Sequence, residues 1–251
     1  MSDLPQKQKA LIRSLYSRHG RKKTSLCICE GLRCCKELML AAPELVQFTV
    51  CRESLNIDFE TSSVSYVIPD HEFAKLASTV NSQGILCLAK VPEFAVSEPE
   101  DDFLFVLDRI GDPGNFGTIL RTAKAAGLTE LWYTAGSVDP FNDKTIRSAM
   151  AAQFSMRLRV FSDLKTLSAT AYKCGYKNFY LTDPHEGTDL FSEKALYEKS
   201  LVIIGSEAHG VGELEGAKRV TIPMPGKFES LNAAQAATIF LFEYVRRTQI
   251  S

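Results

Sequence analysis

The sequence predicts an α/β protein in two parts, and three observations carry that prediction. Short apolar runs of strand length, such as FLFVL at 103–107 and LVII at 201–204, alternate with segments of helical spacing. Several of these runs end in glycine-rich turns, as buried parallel strands do when they deliver a loop to a ligand. An acidic, proline-containing stretch without period, EFAVSEPEDD at 93–102, interrupts the alternation and marks a boundary. A chain of 251 residues with 45% hydrophobic content has the length for about one to two domains and ample material for a core.

Residues 5–17 have helical spacing, with Leu11, Leu15 and Tyr16 on one face. The basic stretch RHGRKK, 18–23, reads as a turn. A strand follows at 25–30 and a helix at 31–41. Strands are expected at 45–51, 65–68 and 84–90, with a short helix at 71–78. Together these make a small three-layer α/β domain over residues 1–92, with 93–102 as the linker. In the second domain, 103–251, strands are expected at 103–107, 131–133, 157–161, 179–182, 201–204 and 219–222. Helices are expected at 115–126, 142–150, 164–174 and 231–247. The last helix is apolar almost to Arg246, so it is expected to be buried against something large. The pattern is that of a parallel sheet with crossover helices.

Net charge is −1, which excludes a uniformly basic polyanion binder. The first forty residues depart from that average. They hold Lys7, Lys9, Arg13, Arg18, Arg21, Lys22, Lys23, Arg33 and Lys36 against Asp3, Glu30 and Glu37. Arg13, Arg18, Arg21, Lys22 and Lys23 are the densest part of this footprint for a polyanion. Seven cysteines, an odd number, point to a reducing cytosol and not to a disulfide framework. Cys27, Cys29, Cys34 and Cys35 crowd together, but their spacing lacks the paired C-x2-C of a zinc site, so no metal is expected. Their alternation along SLCICE fits small apolar residues buried on a strand. With no eighteen-residue apolar run and a polar start, neither a membrane span nor a secretory signal is expected.

Three stretches carry the chemistry. The first, DRIGDPGNFGTILR at 108–121, joins a strand to a helix through Gly111, Gly114 and Gly117. Asn115 stands near the helix start, where a cap is wanted, and Arg121 lies six residues on. Its glycine spacing is not that of a dinucleotide fold. The second, GSEAHGVG at 205–212, has the spacing of a phosphate loop without the required lysine and hydroxyl. It carries Glu207, and His209 is read as a surface histidine. The third, IPMPGKFESLN at 222–232, is held extended by Pro223 and Pro225. Free backbone groups there suit the edge of an adenine. Ser230 is the expected cap of the last helix, with Asn232 in its first turn.

In order and spacing, Asn115-x-Gly117-x3-Arg121, Gly205-Ser-Glu207-x2-Gly210 and Ile222-Pro-Met224 with Ser230-Leu-Asn232 resemble the three signature motifs of the SpoU family of RNA 2′-O-ribose methyltransferases, within the SPOUT superfamily. The stretch PFNDKTIRSAM at 140–150, with Lys144, Arg147 and Ser148, resembles the family's segment between the first two motifs. KALIRSLYSRHGRKK, CICEGLRCCKELM and NSQGILCLAK resemble its ribosomal-protein-like substrate-binding domain. The resemblance thus covers the whole chain.

It implies a knotted parallel-sheet SPOUT methyltransferase domain, one of the rare exceptions to unknotted chains. It implies S-adenosylmethionine as cofactor, held by Thr134, Gly136, Ile204, Gly205, Ile222, Met224, Ser230 and Leu231. The implied catalytic residues are Arg121, Asn115, Glu207, Ser230 and Asn232. The implied partners are structured RNA (rRNA before tRNA) and a second copy in a homodimer. Arg13, Arg18, Arg21, Lys22, Lys23 and Arg147 would meet the RNA, and the protein would be cytoplasmic. The family mechanism has Arg121 draw off the proton of the ribose hydroxyl. A guanidinium is effectively always protonated, so the alternative is a phosphate clamp that positions the hydroxyl. Ala233-Ala234 replaces a Val-Ser found in many members, which removes one hydroxyl from the third motif. Two rival classes are a non-catalytic RNA-binding protein of the same fold and a nucleotide-binding hydrolase or dehydrogenase. The retained motif residues oppose the first, and the missing lysine and glycines oppose the second.

Overall fold

The structure, a computed structural model, describes residues 4–56, 64–94, 97–206, 208–226 and 228–249. In chain order the elements of the first part are α1 (Gln6–Leu15), α2 (Arg18–Thr24), β1 (Leu26–Glu30), α3 (Leu32–Ala41), β2 (Val46–Arg52), β3 (Val64–Ile68), α4 (Asp70–Phe73) and β4 (Ile85–Lys90). The second part runs β5 (Phe103–Asp108), α5 (Pro113–Ala125), β6 (Glu130–Thr134), α6 (Asp143–Ala149), β7 (Arg157–Phe161), α7 (Leu164–Lys173) and β8 (Asn178–Thr182). It ends with β9 (Thr188–Asp189), β10 (Ser200–Gly205), β11 (Lys218–Thr221) and α8 (Ala233–Thr248).

Two compact units result: Met1–Glu93 with Asp139–Ser155, and Phe94–Val138 with Met156–Ser251. The first unit holds a four-stranded mixed sheet, ordered β1-β4-β2-β3. Its pleat separates two cores. Ile28, Phe48, Val50, Leu86 and Leu88 pack with Ile12 and Leu15 of α1 and with Phe73 and Leu76. On the other face Cys27, Cys29, Cys51 and Cys87 pack with Cys34, Cys35 and Leu38 of α3. This is the expected three-layer arrangement, and the alternation of SLCICE is its direct cause. Burial pushes the thiols of Cys27, Cys29 and Cys87 above their usual range, which keeps them inert.

The first unit departs from the linear boundary expected at residue 92. Ile146, Ala151 and Phe154, from the 139–155 excursion between β6 and β7, complete its cysteine-rich core. The apolar face of that excursion has more to bury against α3 than a loop could hide alone. The basic stretch at 18–23 is a helix and not a turn. Ser17 caps it by accepting the Gly20 N–H at 3.0 Å, and Gly20 lets it fold back on α1, since a Cβ there would lie 2.0 Å from the Ser14 carbonyl oxygen.

The second unit is built on a seven-stranded parallel sheet, ordered β7-β6-β5-β10-β8-β11-β9. Its central strands β5 and β10 are buried along their whole length, which explains their continuous apolar runs. The two-residue β9 was not expected from the sequence, being too short to show a period. The acidic stretch expected as the linker is bonded to this unit. Ser97 accepts bonds from Arg157 and Arg159, and Asp101 accepts the Thr129 N–H at 2.9 Å. No helix among the described residues is long and apolar enough to cross a membrane.

Candidate active site

The parallel strands of the second unit all end on the same side, and the three motifs gather there. β10 ends at Gly205, paired in register with Asp108 at the end of β5. Beyond Gly205 the chain folds tightly on itself. The Gly210 N–H donates to the Ser206 carbonyl at 2.8 Å, and a Cβ on Gly205 would meet the Gly210 backbone at 2.1 Å. Only glycine fits at 205.

That fold opens one wall of a pocket. Ile204 contributes from the end of β10, and Gly205, Ser206, Gly210 and Val211 from the second motif. Ile222, Met224, Ser230 and Leu231 contribute from the third, and Ala233, Ala236 and Phe240 from α8. Six of the eight expected cofactor residues are therefore brought together: Ile204, Gly205, Ile222, Met224, Ser230 and Leu231. The lining is mostly apolar, with backbone polar groups at the glycines.

Thr134 and Gly136 lie elsewhere, at and beyond the end of β6. Thr134 is buried, and its hydroxyl donates to Asp108 Oδ1 at 2.6 Å. Gly136, at φ +93°, lies under the Arg109 side chain. They brace the end of β5 and do not line the pocket. Thr182, Asp183 and Pro184, none of them an expected site residue, also line the pocket from the end of β8. An Asp-Pro turn directly after an apolar strand was the available signal. Burial opposes ionisation of Asp183. The N–H groups of His185 and Glu186 and the Arg219 guanidinium outweigh it and hold the carboxyl below its usual range.

Capping differs from expectation at both helix starts. Asp112, not Asn115, caps α5 by accepting the Asn115 N–H at 2.8 Å, with Pro113 in the first position. Asn232, not Ser230, caps α8, accepting the N–H groups of Ala234 and Gln235 at 2.9 and 3.3 Å. Its amide nitrogen in turn donates to Asn115 Oδ1 at 3.1 Å. One side chain thus starts α8 and ties the third motif to the first. Ala233 and Ala234 are buried at this junction, where small side chains fit. Arg121 is exposed on α5, about two turns beyond Pro113. Glu207 lies outside the described residues. His209 is exposed, its N–H donating to Ser206 Oγ at 3.3 Å.

The basic residues of the first unit divide. Arg13, Arg18, Lys22 and Lys23 are exposed. Arg21 is buried, its guanidinium held by Asp139 at 2.7 Å and by the Leu15 and Tyr16 carbonyls. Arg147 is bonded to Asp143, Ser78 and, at 3.7 Å, Glu30. Both were expected at an RNA surface, and both are engaged within their own unit. Among the described residues no group of His, Cys, Asp and Glu could hold a metal ion.

Residues 102–242 match the model of the SpoU rRNA methylase family. The chain is 36% identical over 190 residues to an uncharacterized tRNA/rRNA methyltransferase of Synechocystis sp., covering 74% of this chain and 68% of that protein. It is 30% identical over 238 residues to the 23S rRNA (guanosine(2553)-2′-O)-methyltransferase RlmP of Bacillus subtilis, covering 92% of each. The fold matches that of AviRb from Streptomyces viridochromogenes, a SpoU methyltransferase solved with AdoMet, at a TM-score of 0.81 and 22% identity. That match covers 97% of this chain and 98% of the other.

Proposed function

The chain belongs to the SpoU rRNA methylase family, and from that premise we propose that it transfers a methyl group from S-adenosylmethionine to a ribose 2′-hydroxyl of ribosomal RNA. The observation that carries this reading is the pocket at the strand ends, where Ile204 and Gly205, Ile222 and Met224, and Ser230 and Leu231 come together on a mostly apolar wall. Ile204, Ile222, Met224, Leu231 and Phe240 suit a flat aromatic base, and the backbone groups of Gly205 and Gly210 suit its polar edge. These residues would hold S-adenosylmethionine, which supplies an electrophilic methyl group.

Arg121 binds the phosphate beside the target ribose and sets the hydroxyl in line for transfer. Because its guanidinium keeps its proton, it acts by position and charge. The Asn115–Asn232 bond holds α5, which carries Arg121, in register with α8, which lines the pocket. Glu207 orients Arg121 and the loops. Ser230 serves the pocket wall. Selection of a 2′-hydroxyl makes RNA, not DNA, the polymer. The exposed Arg13, Arg18, Lys22 and Lys23 supply a phosphate-binding surface on the first unit.

The carboxyl-terminal segments form the trefoil knot of the superfamily. Insertion of β10 between β5 and β8 supports this topology. The protein works as a homodimer in the cytoplasm.

The test is transfer of labelled methyl from S-adenosylmethionine to unmodified large-subunit rRNA, followed by alkaline hydrolysis. Label retained in alkali-resistant dinucleotides is the expected result. Label on a free base-modified nucleotide, or no transfer by folded protein that binds the RNA, would overturn the reading.

A further inference from the structure

Arg109, at the end of β5, has no part in the pocket wall and yet is held from several sides. Its φ is +53°, in the left-handed region that residues with a Cβ rarely adopt. Such outliers persist where the surroundings over-determine them, and they cluster at functional sites. The Arg109 N–H donates to Thr134 Oγ1 at 3.0 Å. The next N–H, of Ile110, donates to Ser137 Oγ at 3.1 Å. Nε and Nη2 of Arg109 donate to Asp108 Oδ2 at 3.2 and 3.0 Å.

Asp108 is itself buried and fully engaged. Besides Arg109, it accepts the Thr134 hydroxyl at 2.6 Å and the Gly212 N–H at 2.9 Å. It therefore binds β5, the β6 loop and the second motif together. The Arg109 side chain lies over Gly136, where a Cβ would come within 3.2 Å of its Cγ, and beside Gly212. One edge of the guanidinium is fixed, while 45% of the side chain stays exposed.

The location gives this arrangement its meaning. Strands β6 and β7 lie to one side of β5, whereas β10, β8 and β11 lie to the other. Ligands of open parallel sheets bind outside the carboxyl ends where the strand order reverses. Asp108 pairs in register with Gly205, which lines the pocket. A guanidinium anchored by a buried carboxylate has already lost its rotamer freedom, so its remaining donors meet a second oxyanion at low entropic cost.

We propose that Arg109, positioned by Asp108, contacts a phosphate of the RNA substrate beside the cofactor pocket. The proposal rests on the RNA methyltransferase reading.

The test uses the full chain, S-adenosylhomocysteine, and the host's own large-subunit rRNA transcribed in vitro. Arg109→Ala is expected to keep S-adenosylhomocysteine affinity within about twofold. It should raise the KM for RNA about tenfold or more. It should also flatten the log–log salt dependence of RNA affinity by about 0.7 to 0.9, the share of one phosphate contact. Arg109→Lys should restore most of the salt slope and only part of the KM, because the charge returns without the fork. Asp108→Asn should reproduce the KM defect. Should Arg109→Ala fail to fold by circular dichroism, Arg109→Gln takes its place. An unchanged salt slope with weakened S-adenosylhomocysteine binding would overturn the proposal and leave the pair as a brace for the pocket. An unchanged KM in Asp108→Asn would overturn the positioning role. If the wild-type protein binds RNA without transferring methyl, the enzymatic reading fails, and the salt slopes still decide the Arg109 contact.

Discussion

The two units are both sheets covered by helices, but they present functional groups in different ways. In the second unit every strand of the sheet runs the same way. Asp108, Gly205 and Thr182 therefore arrive together at the strand ends, next to the loop after β11. In the first unit the sheet is mixed and both its faces are covered. Most of its exposed cations lie on the helices, Arg13, Arg18, Lys22 and Lys23 among them. A site made from strand ends is fixed by topology, whereas a surface made from charge depends on which charges the fold has already consumed. Arg21 and Arg147 have been consumed, and Lys22 and Lys23 have not.

The sharpest way to break this contrast is Arg21→Ala. Removing Arg21 from its part-buried pair with Asp139 is expected to cost about 3 kcal/mol of stability. Urea unfolding of the variant measures it. A stable variant with weakened RNA affinity would return Arg21 to the binding surface. In the second unit, Arg121→Ala should lower kcat about a hundredfold or more while S-adenosylhomocysteine binding stays nearly intact. Lost cofactor binding in that variant would show that Arg121 shapes the pocket instead.

Asn232→Ala removes the α8 cap and the bond to Asn115 together, for an expected loss of about 1 kcal/mol. Its kcat should fall as well, whereas Ser230→Ala, at an uncapped position, should leave stability within about 0.5 kcal/mol. The smallest effect on folding is expected from Lys22→Ala with Lys23→Ala, both exposed, again within about 0.5 kcal/mol. RNA affinity should fall and its salt slope flatten by up to about 1.8. An unchanged slope would place the RNA surface elsewhere on the first unit.

Most of the second unit was legible because parallel strands announce themselves as apolar runs, and the motif glycines mark where they end. Gly205 is the clearest case, since the close approach of Gly210 requires it. Thr182 and Asp183 were less legible because only the Asp183-Pro184 turn, and no glycine, marks the end of β8. The caps were misread for a local reason. Several residues near each helix start could serve, and the backbone path selected Asp112 and Asn232. In the first unit the cysteine alternation revealed the sheet face. The helical RHGRKK stretch was hidden because its formation depends on Gly20 packing against α1. The role of residues 139–155 was invisible for a different reason: a segment's neighbours in space are not its neighbours in sequence.

The proposed function stands on a pocket for S-adenosylmethionine formed around Gly205, Met224 and Leu231. Titration calorimetry with S-adenosylhomocysteine tests it most directly, on the wild-type chain and on Gly205→Val. Stoichiometric binding by the wild type is expected, with its loss in the variant, whose side chain would collide with the Gly210 backbone. No binding by folded wild-type protein, or equal binding by a folded variant, would contradict it.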